Sequence, residues 1–425
     1  MSWVERVVGA VRRGRVADPP AAGRMVRPRA EDRWRDYPSS GLTPSRLMSI
    51  LREADQGSLS ATMQLFAEME EKDPHLYAVA NTRRLAVTGL EWQVLSAADV
   101  RQGVDRSSAD EAADYCRELL AGLESFDAVL QHLSLALGRN IAVAELVWEN
   151  TAGELRLADI CPVDFTRLVF DEAGRPRILT RGEPIDGVAL PPNKFVVHTP
   201  HTISGHPAHG GLLRVTAMIY LAKNLALKNW LVFAEVFGMP VRVARYDPGA
   251  SPEEKRELLR MLESLGSSAA GIFSRAVELQ LIEATRAPGG PPYQALVQFL
   301  NREISKAWLG QTLTTETSEQ SSSYAASRVH EEVRKDLRAD DIRKEARTIR
   351  RDLLGPLCRL RFGPRAPVPY FTRRPGRAWE LRQLGGVLDV AVNRLGVRVP
   401  AAWAHEVLGI PEPAADETVL PGRSD

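Results

Sequence analysis

The run Leu212-Leu213-Arg214-Val215-Thr216-Ala217-Met218-Ile219-Tyr220-Leu221-Ala222-Lys223-Asn224-Leu225-Ala226-Leu227-Lys228-Asn229-Trp230-Leu231-Val232-Phe233-Ala234-Glu235-Val236-Phe237 contains neither proline nor glycine, and Gly238-Met239-Pro240 closes it. Such a run reads as one long helix. Its apolar residues, among them Val215, Ile219, Leu221, Leu225, Leu227, Trp230, Leu231 and Phe233, lie nearly all the way round, so more than one side needs cover, from a core or from other subunits. Val241–Tyr246 then alternates as a strand does. Ser251-Pro252-Glu253-Glu254 opens a helix reaching Leu265, with a cap, a first-turn proline and acids that match the helix dipole. Strands at Gly271–Phe273 and Glu278–Ile282 follow, Ala287-Pro288-Gly289-Gly290 ends the insert, and a second helix spans Tyr293–Leu309. Two long helices therefore flank a small α/β insert.

Toward the N-terminus, residues 1–40 are rich in Arg, Pro and Ala and read as a flexible basic arm, solvated rather than bound to nucleic acid. Thr43-Pro44 supplies a cap and first position for a helix carrying Leu47, Ile50 and Leu51. A helix over Ser58–Glu71 points Met63, Phe66, Ala67 and Met69 inward and Glu68, Glu70, Glu71 and Lys72 outward. A third helix begins at Pro74, carries Leu76, Val79, Ala80, Arg83 and Arg84, and stops at Gly89 in what reads as a left-handed cap. Leu90–Leu95 alternates as a strand, residues 108–136 return to helix, and strands at Ile141–Trp148, Arg167–Phe170, Arg177–Thr180 and Lys194–His198 read as antiparallel hairpins with polar tips.

Beyond the second long helix, Gln311–Ser323 is polar, rich in hydroxyls and free of positive charge. A long charged helix runs from Tyr324 to about Arg361. Its alternating signs between Arg334 and Arg351 read as a solvated or intersubunit face laced with i,i+4 pairs. A Val368–Phe371 segment, helices near Trp379–Leu395 and Pro400–Leu408, and a Pro-rich acidic tail complete the chain.

Composition narrows the function. The 55 Lys+Arg residues nearly cancel the 54 Asp+Glu, which argues against tight wrapping of nucleic acid and leaves room for DNA that slides. Cys116, Cys161 and Cys358 are far apart and form no CxxC pair, the pattern of a reducing compartment. The N-terminal apolar run is too short and charged for a signal peptide, and no stretch reaches the roughly 20 apolar residues of a membrane span. Walker, GxGxxG and GxSxG patterns are absent, so neither a nucleotide-binding loop nor a serine-hydrolase elbow is expected. The most enzyme-like feature is His198–His209, where His198, His201, His206 and His209 fall together and neutral imidazoles are good zinc ligands. No cysteine or carboxylate joins them, and the intervening prolines and glycine keep one face from presenting all four. A loop without metal is the favoured reading, and a metal-dependent hydrolase or nuclease using residues 198–209 is the alternative. A monomeric DNA-binding adaptor using the basic arm is a third.

Three ordered segments resemble the portal proteins of Mu-like phages and prophages. They are Leu65–Leu76 with Leu90-Glu91-Trp92 downstream; Phe233–Arg242 with Tyr246–Ala250; and Ile304–Thr315 with Ser322-Ser323-Tyr324 and His330-Glu331. The resemblance covers about residues 40–360. It implies an α+β portal fold that forms rings, with a mainly helical stem and crown, a small β-containing wing and an α/β clip. On that plan residues 41–210 are the wing, 211–238 and 291–310 the stem helices, 239–290 the clip, 311–323 the tunnel loop, 324–375 the crown or wing helix and strand, and 376–425 the C-terminal helices and tail.

Candidate DNA-channel residues are Gln311, Thr312, Thr314, Thr315, Thr317, Ser318, Gln320 and Ser321; Arg242, Arg245, Tyr246 and Asp247 are candidates for partner docking on the clip. The implied function is structural: a ring, usually of twelve copies, at one capsid vertex of the virion, assembled in the host cytoplasm, without cofactor, metal or catalytic residue and without a membrane. The implied partners are the terminase large subunit, capsid and scaffold proteins, neck proteins, and double-stranded DNA passing without sequence specificity.

Overall fold

The computed structural model describes residues 41–151, 154–200, 203, 205–237, 241–245, 249, 251–264, 278–282, 292–312, 324–374 and 384–408. Helices α1 (Pro44–Asp55), α2 (Ser60–Lys72) and α3 (Pro74–Thr88) come first, followed by β1 (Glu91–Leu95), α4 (Arg106–Ala121) and α5 (Phe126–Ser134). Thr43 caps α1 as its sequence predicts, its Oγ1 accepting from the Arg46 N–H at 3.2 Å. Gly89 closes α3 in a right-handed conformation at φ −75°, so the left-handed cap expected there does not form.

A three-stranded sheet ordered β3-β2-β7 divides the apolar interior in two. Its strands are β2 (Ala142–Thr151), β3 (Glu154–Pro162) and β7 (Phe195–His198), all antiparallel. Strand alternation sends Ala142, Ala144, Leu146 and Trp148 into a core with α4 and α5, while Val143 joins the core under α1, α2 and α3. A smaller sheet, β4 (Leu168–Phe170), β5 (Pro176–Ile178) and β6 (Val188–Ala189), closes the second of these cores. The sequence reading missed β3. A register shift at Val147/Trp148 spaces its core residues Leu157 and Ile160 three apart, which hides the period of two.

Two long helices follow, α6 (Leu212–Phe237) and α8 (Pro292–Leu309), separated by β8 (Val241–Arg245), α7 (Pro252–Ser264) and β9 (Glu278–Ile282). β8 and β9 pair antiparallel from Val241↔Ile282 to Arg245↔Glu278. The strand expected at Gly271–Phe273 lies outside the described residues. Phe233 near the end of α6 meets Tyr293 at the start of α8, ring centroids 5.9 Å apart, and the two helices run antiparallel. At the other end they sink into the core under α1, α2 and α3 through Leu213, Ala217, Tyr220, Ile304 and Trp308. A Cβ on Gly211 would lie 2.1 Å from the Gly138 carbonyl oxygen, so only glycine lets the chain enter α6 so close to the preceding backbone.

Helix α9 (Tyr324–Ile349) passes without a break through a π-helical turn (Arg350–Leu354) into α10 (Gly355–Phe362), and β10 (Tyr370–Arg374) then pairs with β1. Within that turn, Asp352 accepts from the Val197 N–H at 3.0 Å and Arg351 donates to the Val197 carbonyl at 2.9 Å, which covers the free edge of β7. Residues 384–394 and α11 (Ala401–Leu408) are helical; residues 379–383 of the helix expected at Trp379–Leu395 lie outside the described region.

Several charges read as solvated are buried. Glu68 and Glu70 turn inward while Ala67 is exposed. Glu70 holds both Arg84 and Arg139, and against the opposing effect of burial these guanidinium groups keep its carboxyl below the usual carboxylate range. On α9, Asp341 and Glu345 are buried within the subunit as well, which corrects the reading of that whole stretch as a solvated or intersubunit face. Glu345 takes two hydrogen bonds from Arg373, each 2.8 Å, and the same guanidinium donates to the Leu90 carbonyl. The i,i+4 pairing survives on the outer face, for example Asp340–Lys344 at 2.7 Å.

His132 gives a pH prediction. Its ring stacks on Phe165 with centroids 4.8 Å apart, and its Nε2 meets the Val143 carbonyl at 3.1 Å. Burial pushes the imidazole down to about 4, with Arg139 adding to the depression against the Val143 carbonyl. Between about 4 and 6.5 the unfolded chain binds the proton that the folded one refuses, so stability is full above 6.5 and falls with acidification, by about 3 kcal/mol in all. Denaturant melts across pH 4 to 7 are expected to show this slope, flattened in His132→Gln.

Candidate functional site

Four helices, α3, α6, α8 and α9, are joined by a set of buried polar contacts, and α3 is the hub. Asp73 caps α3 by accepting from the His75 and Leu76 N–H groups at 3.0 and 3.1 Å. The same buried carboxylate takes the Lys223 ammonium of α6 at 2.6 Å. Two residues on, His75 Nε2 lies 2.8 Å from Ser305 Oγ of α8. Arg83 completes the set. Its guanidinium grips Asp341 of α9 through Nε and Nη2 at 2.9 and 3.1 Å, and its Nη1 donates to the Trp308 carbonyl at 2.9 Å. That carbonyl lies in the last turn of α8, where helical carbonyls lack partners of their own.

The geometry is that of a rigid mount. Trp308 is fully buried, Asp341 nearly so, and charged groups paired this way in a low-dielectric setting hold a fixed geometry. Gly310 then turns the chain at φ +67°, and a Cβ there would lie 2.9 Å from Val333 of α9. Of the candidate channel residues, Gln311 is buried and Thr312 is half-buried. Thr314, Thr315, Thr317, Ser318, Gln320 and Ser321 lie outside the described residues. Arg242 and Arg245 sit on β8 opposite Leu281 and Glu278 of β9; Tyr246 and Asp247 lie outside.

Away from the hub, α6 exposes a stripe. Val215, Met218, Ala222, Leu225, Asn229 and Val232 follow one another at alternating steps of three and four, and every one is exposed. That spacing is the seam of helices that pack against other helices. Leu231, at 72% exposure, lies beside the stripe, and α8 exposes Leu296 and Phe299.

In the histidine run, His206 and His209 lie close, with ring centroids 5.9 Å apart, while His198 is engaged elsewhere. His198 is buried, its Nδ1 2.9 Å from Thr348 Oγ1 on α9. His206 accepts from the Ala208 N–H and lies edge-on to Phe170, while His209 pairs with Asp55 of α1 at 3.0 Å. His201 lies outside the described residues. Among the described residues no group of three or more His, Cys, Asp or Glu side chains is placed to hold a metal ion. Among them, too, no helix is long and apolar enough to cross a membrane.

In the sequence, Asp73, His75, Ser305 and Trp308 stand out only as parts of the segments that resemble the family, and Lys223 and Asp341 carry no local mark. The partners of these two are set by helix crossings rather than by spacing.

Comparison with known proteins matches residues 63–410 to the family described as the portal protein of Mu bacteriophage. The portal protein of Escherichia phage Mu is 31% identical over 399 residues, covering 91% of this chain and 75% of the relative. The Mu-like prophage FluMu protein gp29 of Haemophilus influenzae is 30% identical over 392 residues, with 91% and 74% covered. In structure, the chain is similar to one from the neck of an empty gene transfer agent particle computed with C6 symmetry, at a TM-score of 0.53 and 13% identity over 83% of this chain and 94% of the other. A chain from the virion of the native particle gives a TM-score of 0.51 at 12% identity, over 96% and 99%. At these identities the structural likeness speaks for the fold.

Proposed function

Because the chain belongs to the portal protein family of Mu bacteriophage, we propose that its copies close into a ring at one vertex of a viral head and that DNA passes through the middle. The observation that carries the ring is the apolar stripe on α6. A closed ring repeats one heterologous contact, so each copy needs two different complementary patches. The α6 stripe and the separate apolar residues Leu296 and Phe299 of α8 supply them.

On this reading residues 41–210 form the wing, 211–238 and 291–310 the stem, 239–290 the clip, 311–323 the tunnel loop and 324–375 the crown or wing helix and strand. Residues 376–425 are C-terminal helices and tail. The hub at Asp73, Arg83 and His75 ties the stem to the wing and holds both ends of the tunnel loop. Thr312, Thr314, Thr315, Thr317, Ser318, Gln320 and Ser321 face DNA, whereas Gln311, expected in the same set, is buried inside the subunit and cannot. They carry no cation that would pin phosphates, so the duplex slides without sequence preference. The clip, with Arg242, Arg245, Tyr246 and Asp247, docks the terminase large subunit during packaging and neck proteins afterwards, while capsid and scaffold proteins meet the outer rim.

The ring numbers about twelve copies, is built in the host cytoplasm and stays in the virion. It makes and breaks no bond; any gating is a shift in populations of the loop and stem as partners bind. The histidine loop gives no support to a hydrolase, because the described imidazoles are spent on Thr348, Asp55 and a backbone cap. Native mass measurement of the purified chain tests the proposal. One dominant species at a fixed multiple of the subunit mass is expected, and a metal-loaded monomer would sink it.

A further inference from the structure

Cys116 on α4 and Cys358 on α10 lie 242 positions apart in the chain, yet their sulfurs are 3.5 Å from each other. Both are free thiols, and both are fully buried in the core that the central sheet shares with α4 and α5. The approach is held in register by neighbours. Tyr115 meets Phe362 edge-on at 5.5 Å, and the Arg361 guanidinium lies over the Tyr115 ring at 6.0 Å. A disulfide needs the sulfurs to close to about 2.05 Å. That asks for a movement of about 1.5 Å, within reach of side-chain rotation.

We infer that Cys116 and Cys358 are a latent cross-link, open while the surroundings are reducing and closed to a disulfide by a small-molecule disulfide oxidant. The two thiols differ in their surroundings. A hydrogen bond from Cys116 favours the Cys358 thiolate against the opposing effect of burial, and Arg359 and Arg350 add to it, so Cys358 titrates below an ordinary thiol. Cys116 is pushed up by that same hydrogen bond and by burial.

With Arg359 and Arg350 beside it, Cys358 is taken as the attacking sulfur; the exchange balances equally with the two roles reversed. Its thiolate displaces one thiol from the oxidant and becomes a mixed disulfide. Cys116, losing its proton, then attacks the Cys358 sulfur and displaces the second thiol. Two protein thiols and one small disulfide give one protein disulfide and two small thiols, so atoms and electrons balance. Burial makes local opening of α4 against α10 the slow step, on a scale of minutes to hours.

The closed form staples α4 to the helix that runs through the π turn into α9 and so toward residues 311–323. Closing so long a loop restrains the unfolded chain strongly. Cys161 takes no part. It lies on β3, its Sγ 3.4 Å from Asp159, in the register position opposite Glu145.

The test uses the full chain, incubated with oxidised glutathione while warmed toward its melting range, with the thiols counted by alkylation after denaturation. The count is expected to fall from three to one, with peptide mapping joining 116 to 358. Tm should rise by roughly 5–10 °C, reversibly with dithiothreitol. Cys161→Ser should behave as the parent, and Cys116→Ala and Cys358→Ala should each lose the shift. Three thiols persisting after that treatment, a link through Cys161, or a bond joining two copies would overturn the inference. The count on the unaltered chain decides it even where a variant fails to fold, and it does not depend on the ring.

Discussion

Arg83→Ala is expected to lower the unfolding free energy by about 3–5 kcal/mol, because it strips a buried carboxylate of its partner. Asp341 is 5% exposed and Arg83 holds it with two hydrogen bonds, so the ionised acid would be left in a medium that solvates it poorly. The Trp308 carbonyl would lose its donor in the same step. By contrast, breaking the surface pair Glu303–Lys306 with Lys306→Ala should change stability by only about 0–1 kcal/mol. Double replacement, Arg83→Met with Asp341→Leu, should recover much of the loss by removing both charges. Since Arg83 joins α8 and α9 on either side of residues 313–323, proteolysis in that interval should also speed up in Arg83→Ala. Chemical denaturation of all three variants is the measurement. A change below about 0.5 kcal/mol in Arg83→Ala would show that the grip does not hold in solution.

The second large effect concerns assembly. Leu225→Glu with Val232→Glu places two carboxylates in the exposed stripe of α6. Within one chain both positions face solvent, so the melting temperature of the subunit should stay within a few degrees of the parent. In a ring each carboxylate would be taken out of water at every interface, at several kcal/mol per ion. The ring is therefore expected to give way to monomer in sedimentation velocity. Leu213→Glu, on the buried side of the same helix, should instead prevent folding. Rings persisting in the double variant would place the subunit contact elsewhere.

How far the sequence carried the fold depends on the kind of signal. Unbroken helices between strong stops, such as α6 and α8, were legible, as was the strand–helix–strand character of the insert between them. The Thr43 cap was legible because its partner sits three residues away. What failed were features set by distant chain. Glu70 and Asp341 look like solvated charges on any helical projection, because Arg84, Arg139 and Arg83 reach them from other helices or other turns. β3 was lost to a bulge, which no single-strand pattern records.

The candidate site shows the same division. The residue types at 73–75 and 304–308 stood out in the segments that resemble the family, and the fold brings two of those segments into contact at His75–Ser305. Lys223 and Asp341, which complete the hub, carried no local mark. The polar, cation-free character of 311–323 could be read directly, and with it the expectation of a loop that lets DNA slide.

Electron cryo-microscopy of the purified chain tests the central claim most directly. Closed rings with a central channel are expected, with α6 and α8 at the boundary between neighbouring copies and residues 311–323 at the bore. A monodisperse monomer at high concentration, or a closed assembly without a channel, would contradict it.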